Sequence, residues 1–405
     1  MLLRAGRYET LRPIASGGMA TVYLGRALGG GGFERAVAIK VLHPHVAAEP
    51  EFVAMFLDEA RLAAQIHHPN VVATLDLVED PLFLVMEYIE GPSLYGLMRA
   101  CKKHRQPFPI SIALRIFLDA LAGLHAAHDL VGPGGQPLNL VHRDVSPQNV
   151  LVGSDGISRI TDFGVARAES RISSTRGGAL KGKLGYMSPE QIKAKPVDRR
   201  SDVYAAGAVL YEMLTGERLF QADNEAALIS NILSGPEHGP RAIATAVPEA
   251  LDAACLRSLA SNASDRYPSA AAFAEAIERA IAQSPGCSIA SSRAVATLVK
   301  GLELHVLPQA SGGGPGRSRD PASTGSAGLT PSPSSFAPIS SSMPESSRGV
   351  SVSSVVLPAS VAARRSLGSL ADVLEPQRST TGLGGVVAEP PPRTLVGRST
   401  LIAVG

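Results

Sequence analysis

Between Tyr8 and Leu42 short apolar runs are broken by glycine. Tyr8 to Ile14 and Thr21 to Ala27 read as a hairpin around Ser16-Gly17-Gly18. A second glycine run, Gly29 to Gly32, turns the chain into a third strand, Arg35 to Leu42. The period then changes. From Glu51 to Ile66, the residues Phe52, Met55, Phe56, Leu62 and Ile66 fall at helical spacing, and Val71 to Val78 and Leu82 to Tyr88 return to strand. From Ser111 onward helical spacing dominates: Ser111 to Asp129, Val203 to Thr215, Asn224 to Leu233, Pro248 to Leu259 and Ala270 to Ala282. The pattern predicts an α+β, bilobal fold, with a β-rich lobe over about 8–90 and an α-helical lobe over 91–282. A crevice between two such lobes is the usual place for a ligand.

Near Pro308 the pattern stops. Ser291 to Leu307 still has helical spacing (Val295, Leu298, Val299, Leu302), so 283–308 is expected to hold a terminal helix leaning on the domain. Beyond it come Ser311-Gly-Gly-Gly-Pro-Gly, Pro331-Ser-Pro-Ser-Ser and Pro390-Pro-Pro-Arg393. Such composition buries too little apolar surface to offset chain entropy. Residues 309–405 are therefore expected to be a disordered, Ser/Pro/Gly-rich tether or interaction tail.

Composition narrows the function classes. Across 405 residues only 18% are charged and the formal net charge is +2, so nothing argues for a nucleic-acid partner. Cys101, Cys255 and Cys287 are scattered, which is neither a disulfide framework nor a zinc spacing and favours a reducing cytoplasm. The start, Met1 to Arg7, lacks a signal-peptide core, and no run is read as the roughly 20 apolar residues of a membrane helix. Cytoplasmic location is expected. The ending Leu401-Ile402-Ala403-Val404-Gly405, after Arg393 and Arg398, would begin a membrane tether only if the natural chain continued past it.

The chemistry concentrates between His142 and Gly164, where His142-Arg143-Asp144-Val145-Ser146-Pro147-Gln148-Asn149 precedes Asp162-Phe163-Gly164. Asp144 is a proton acceptor, and Asn149 and Asp162 offer oxygen ligands that suit a hard cation such as Mg²⁺. One hairpin, Val150 to Val152 returning over Ile157 to Thr161, would hold both ligands on one side of a cleft. Near the N-terminus, Ile14-Ala15-Ser16-Gly17-Gly18-Met19-Ala20-Thr21-Val22 forms a turn in which adjacent glycines let backbone N–H groups approach phosphate. Val37-Ala38-Ile39-Lys40 puts a lysine in an apolar strand, and Glu59 lies on the next helix, on the face of Met55 and Leu62, where it could aim the amine. The histidines His43, His45, His67, His68, His125 and His128 show no ligand-like pairing and read as turn or core residues.

Together these residues resemble the protein-kinase signature set over residues 8–282, in the expected order and spacing. Ser188-Pro189-Glu190 matches the Ala-Pro-Glu position, Asp202 stands where the family's central helix begins, and Arg266 stands where the family supplies a partner for Glu190. The wording Gly-Gly-Met and Tyr-Met-x-Pro-Glu-Gln is similar to the bacterial branch of eukaryote-like serine/threonine kinases. The resemblance implies ATP and Mg²⁺ as cofactors, and serine or threonine hydroxyls of proteins as acceptors, the chain itself included, in signalling. By position, Asp144 would orient the acceptor and take its proton, and Asn149 and Asp162 would hold Mg²⁺. Lys40, held by Glu59, would contact the α- and β-phosphates. Val22, Ala38 and Leu151 would sandwich adenine, Met86 would guard the rear, and the backbone of Glu87 to Ile89 would bond the base. Arg143 would gather a phosphate from the segment between Asp162 and Glu190, where Ser170, Ser173, Ser174 and Thr175 stand near Arg171 and Arg176.

Four positions depart from the family pattern. Ala15 and Ala20 replace the outer glycines of the phosphate loop, which stiffens it. Ser146 stands where these kinases carry a lysine, and Lys183 where they carry a threonine. Lys183 is therefore expected to reach back to Ser146 and Asp144 and restore the cation from the opposite wall. The alternatives are a weak pseudokinase scaffold, which Ser146 and Ala20 favour, a dual-specificity kinase, and a small-molecule phosphotransferase. The long segment ending in Ser-Pro-Glu speaks against the last. The insertion Val131 to Leu138 reads as a surface turn.

Overall fold

Each glycine-punctuated run becomes a strand of one six-stranded sheet in the computed structural model, which describes residues 3–163 and 183–306. The strands are β1 (Arg4–Ala5), β2 (Tyr8–Ser16), β3 (Ala20–Leu28), β4 (Glu34–Leu42), β5 (Thr74–Glu79) and β6 (Leu82–Glu87), ordered β1-β2-β3-β4-β6-β5 with antiparallel neighbours. Register slips between Thr10 and Arg12 and between Pro13 and Ala15 bend β2 and curl the sheet. Alternation along β4 gives the sheet two apolar faces. Val37 and Ile39 join Tyr8, Phe83 and Val85 on one. Ala38 and Leu42 join Leu84, Met86, Phe56 and Ala60 on the other, so Lys40 shares the face that packs on helix.

Two helices lie between β4 and β5. The short α1 (Pro44–Ala47) was not anticipated, and α2 (Pro50–Ala63) ends three residues before Ile66. Val71 and Val72 are not in β5 as expected. Val71 instead bridges to Ile160 and the Val72 amide donates to the Ile160 carbonyl, which ties the connection to the helical lobe.

The helical lobe begins with α3 (Leu94–Lys103), also unanticipated, whose apolar positions Leu94, Leu97 and Cys101 are too few to stand out beside exposed lysines. Then follow α4 (Ile110–His128), the hairpin β7 (Val150–Val152) and β8 (Ser158–Ile160), and α5 (Pro189–Ile192). The last five are α6 (Arg199–Thr215), α7 (Glu225–Ser234), α8 (Glu249–Ser258), α9 (Ala270–Ala282) and α10 (Ser292–Val306). Caps account for the starts. Asp198 accepts from the Arg200 amide and begins α6 four residues before Val203, and Asn224 caps α7 through the Ala227 amide. By length and apolar composition α4 could cross a bilayer, contrary to the sequence expectation, but 67% of it is buried within the lobe. It packs against α6 and α9.

Helix α10 joins the same core through Val295, Val299 and Leu302. The Ala290 amide donates to the Ser111 carbonyl at 2.9 Å, and the helix crosses the β7–β8 turn so closely that a Cβ on Gly156 (φ +80°) would sit 1.8 Å from the Ser292 carbonyl oxygen. The expected tail, 309–405, and the serine-rich stretch with Ser170 to Arg176 lie outside the described residues.

Candidate active site

The cleft between the lobes has a volume of about 660 Å³. From the sheet lobe it is lined by Ile14, Ala15, Ser16, Gly17, Met19, Ala20, Val22, Ala38, Lys40 and Met86. Glu87, Ile89 and Leu151 line its inner wall, and Asp144, Asn149, Asp162 and Lys183 its floor. Three expected residues do not line it. Strand alternation turns Thr21 away from its neighbours Ala20 and Val22, and its hydroxyl meets His43 Nε2 at 3.0 Å and Ser16 Oγ at 3.1 Å. Gly18 stands at the turn with nothing within 4 Å of where a Cβ would be, and Glu59 stands behind Lys40. Tyr88 lines it within the expected span Glu87 to Ile89, and sequence reasoning missed Arg12, Val72, Gly91, Pro92, Ser93, Gln148 and Thr161 as lining residues.

The phosphate loop is pinned at its tip. The Gly17 amide donates to the Ala20 carbonyl at 2.9 Å, and the His43 amide to the Met19 carbonyl at 2.8 Å. The Met19 side chain is buried in the cluster that contains Phe56 and Ala60 of α2, so loop and helix share one apolar contact set. Only the Gly-Gly-Met spacing pointed there, and it carried no sign that the methionine faces inward.

Lys40 stands at the head of the cleft. Its ammonium donates to Asp162 Oδ1 at 2.8 Å and to Glu59 Oε1 at 3.3 Å, and only 9% of the side chain is exposed. Burial opposes the charge, but Asp162 and Glu59 overcome it and hold the amine well above its ordinary range. Burial likewise opposes ionisation of Asp162, and Lys40 outweighs it, so that carboxyl stays below its ordinary range.

The catalytic loop is held by one buried acid. Asp202, at the start of α6, accepts from the His142 amide at 2.7 Å, the Arg143 amide at 2.8 Å and His128 Nε2 at 2.7 Å. Gln191 Nε2 donates to the Arg143 carbonyl at 2.9 Å. These bonds fix Arg143 at φ +67°, and Asp162 also adopts a left-handed φ of +62°. Strained backbone at two such neighbours marks a region whose geometry the surroundings impose. Asp144 is then set by Asn149, whose Nδ2 donates to the Asp144 carbonyl at 2.8 Å and to Oδ2 at 2.9 Å.

Lys183 reaches the same acid, with Nζ 2.9 Å from Asp144 Oδ2. It does not reach Ser146 as expected, because that hydroxyl is buried and has no hydrogen-bond partner among the described residues. Arg266 meets Glu190 in a bidentate pair at 2.6 and 2.9 Å, and Ser201 Oγ adds a third bond at 2.6 Å. Tyr186 donates a short hydrogen bond to Glu212.

The donor set fits a hard cation. Asn149 uses its amide nitrogen on Asp144 and keeps its oxygen, while Asp162 gives Oδ1 to Lys40 and keeps Oδ2. Two hard oxygens on one wall suit Mg²⁺ and a polyphosphate.

The curled sheet lobe, the helical lobe and the cleft between them define a kinase-type fold, and the family model for the protein kinase domain matches residues 8–274. The chain belongs to the protein kinase family. It is 45% identical over 275 residues to the tyrosine-protein kinase MasK of Myxococcus xanthus, covering 67% of this chain and 43% of that one. It is 36% identical over 274 residues to the serine/threonine-protein kinase PknL of Mycobacterium tuberculosis, covering 67% and 65%. The chain thus spans less than two thirds of the length of these curated relatives. Among solved structures it is similar to the PknI kinase domain of Mycobacterium tuberculosis, at 26% identity and a TM-score of 0.52, covering 69% of this chain and 97% of that one.

Proposed function

We propose that this chain is an ATP- and Mg²⁺-dependent protein kinase that phosphorylates serine and threonine hydroxyls of proteins, itself included. The observation that carries the reading is the Lys40 ammonium held at 3.3 Å by Glu59 and at 2.8 Å by Asp162, in one cleft with Asp144 and Asn149. A scaffold needs none of this charge arrangement. Phosphoryl transfer needs little beyond alignment and neutralised charge. Asn149 and Asp162 would hold Mg²⁺, which supplies charge neutralisation on the phosphates. Lys40 would bind α- and β-phosphate oxygens, with Glu59 fixing its direction. The open backbone at Gly17 and Gly18 would admit phosphate oxygens. Val22, Ala38 and Leu151 would enclose adenine, with Met86 behind it and the backbone of Glu87 to Ile89 on its edge. Asp144 would orient the acceptor hydroxyl and take its proton.

Serine and threonine specificity rests on relatives named as serine/threonine-protein kinases. One observation favours a second reading, acceptance of tyrosine: the relative at 45% identity is named a tyrosine-protein kinase. Incubating the chain with labelled Mg·ATP and hydrolysing the product to phosphoamino acids separates the two. Phosphoserine and phosphothreonine are expected, and phosphotyrosine alone would sink the first reading. Asp144→Asn is expected to lower turnover by about 10²–10⁴-fold, the contribution of a positioned base, with Mg·ATP binding retained. Unchanged turnover in that variant would remove Asp144 from the mechanism.

A further inference from the structure

The acceptor end of the cleft is supplied with positive charge in an unusual way. From Asp144 to Asn149 the catalytic loop reads Asp-Val-Ser-Pro-Gln-Asn and contains no cation. The buried Ser146 hydroxyl faces no partner among the described residues. Lys40 is committed at the other end, between Glu59 and Asp162. Among the described residues, the cation on this floor that touches Asp144 is Lys183, with Nζ 2.9 Å from Oδ2 and 37% of its side chain exposed. It comes from the far side of the chain, just ahead of Tyr186 and the Ser188-Pro189-Glu190 turn.

Both donors on Asp144 converge on one oxygen: Asn149 Nδ2 and Lys183 Nζ each bond Oδ2 at 2.9 Å. Oδ1 is left to receive a proton. The geometry points to Lys183 as a catalytic residue of the kinase reaction proposed above, the cation that stabilises the transferring phosphoryl group from the acceptor side. The inference rests on that reading. In the step, the acceptor oxygen bonds the γ-phosphorus, its proton passes to Asp144 Oδ1, and the bond from phosphorus to the β,γ-bridging oxygen breaks, its electron pair leaving with ADP. As Asp144 takes the proton it loses its charge, and its hold on the Lys183 ammonium weakens. The balance of its bonding then shifts from Asp144 toward the phosphoryl oxygens while their negative charge is spreading. The interaction is stronger in the transition state than in the ground state, which is what accelerates a reaction.

The opposite arrangement, in which Lys183 merely restrains Asp144, predicts faster turnover without the lysine. Steady-state kinetics of the full chain on casein with Mg·ATP, together with calorimetric Mg·ATP binding, separate the two. For Lys183→Met, kcat is expected to fall by about 10²–10³-fold, the cost of one stabilising donor, with KM and Kd for ATP changed less than threefold. Lys183→Arg, which keeps the charge, is expected to retain at least about tenfold more turnover than the neutral variant. Lys183→Gln repeats the neutral test on a second side chain, and retained Mg·ATP binding reports that each variant is folded. A neutral variant with kcat within threefold of the parent or above it overturns the proposal, as does a loss confined to KM, or an arginine variant no better than methionine. Inactivity of the parent chain despite Mg·ATP binding would instead overturn the kinase reading itself.

Discussion

Single residues in this domain act through partners far away in sequence, and Glu190 with Arg266 is the clearest case. The Arg266 side chain is fully buried, stacks over Tyr204 at 4.8 Å and forms a bidentate pair with Glu190. Burial alone would raise the Glu190 carboxyl, but the bonds from Arg266 and Ser201 outweigh it and hold it below the ordinary 4.5. Removing one partner of a buried pair strands the other charge. Glu190→Gln is expected to cost about 3 kcal/mol at neutral pH, read by urea denaturation. Because the folded carboxyl is the stronger acid, this contribution is fully present above the ordinary glutamate value. It is lost as pH falls through the lower folded value, so parent and variant should converge in acid. A gap that widens below pH 4 would contradict the assignment. The sequence made the chemistry-bearing side chains legible, because Asp144, Asn149, Asp162, Lys40 and Glu59 stand in short motifs. It did not show that Asp202 organises the loop through His128, His142 and Arg143, since those bonds span 59 to 74 residues. Nor did it show that Met19 is buried, because one methionine beside glycines has no period to read.

Among elements, the hairpin of β7 and β8 matters most, since Asn149 precedes it and Asp162 follows it. Its turn is pressed against α10, where Gly156 leaves no room for a side chain and has a left-handed φ. Gly156→Ala is expected to destabilise the domain by about 1–3 kcal/mol, through strain and forced displacement. Amide exchange should quicken in the hairpin and in α10 together. Faster exchange in α10 alone would mean that the helix does not brace the hairpin. Long periodic elements such as α4 and β4 were readable from apolar spacing, and the one at 270–282 matched its final bounds. The start of α6 was placed four residues late, at Val203, because capping by Asp198, not the first apolar residue, decides where that helix begins, whereas the start of α7 was placed at its cap Asn224, within one residue. The short α1 and α3 escaped because a four-residue helix and one with three buried side chains leave almost no periodic signal.

For the whole molecule, the family match ends at residue 274, yet the apolar core continues through Val295, Val299 and Leu302. Shortening the chain to end at Ala290 should therefore lower Tm by several degrees, since three buried aliphatic side chains are each worth about 1.5–3 kcal/mol. An unchanged Tm would show that α10 is dispensable. The two lobes were legible as a change of period from strand to helix, but their joining was not. It depends on Val71 and Val72 leaving the sheet for Ile160. Among the described residues, each lobe presents to the cleft one amine of contrasting character. Lys40 is sunk between two carboxylates with 9% of its side chain exposed, and Lys183 has 37% exposed. An aldehyde or sulfonyl-fluoride probe delivered by an adenine-like head should thus meet Lys40 at the head of the cleft as a protonated amine held by two carboxylates, which must lose its proton before it reacts. A covalent ligand that extends toward the acceptor side would meet Lys183, the more exposed of the two, held there by Asp144.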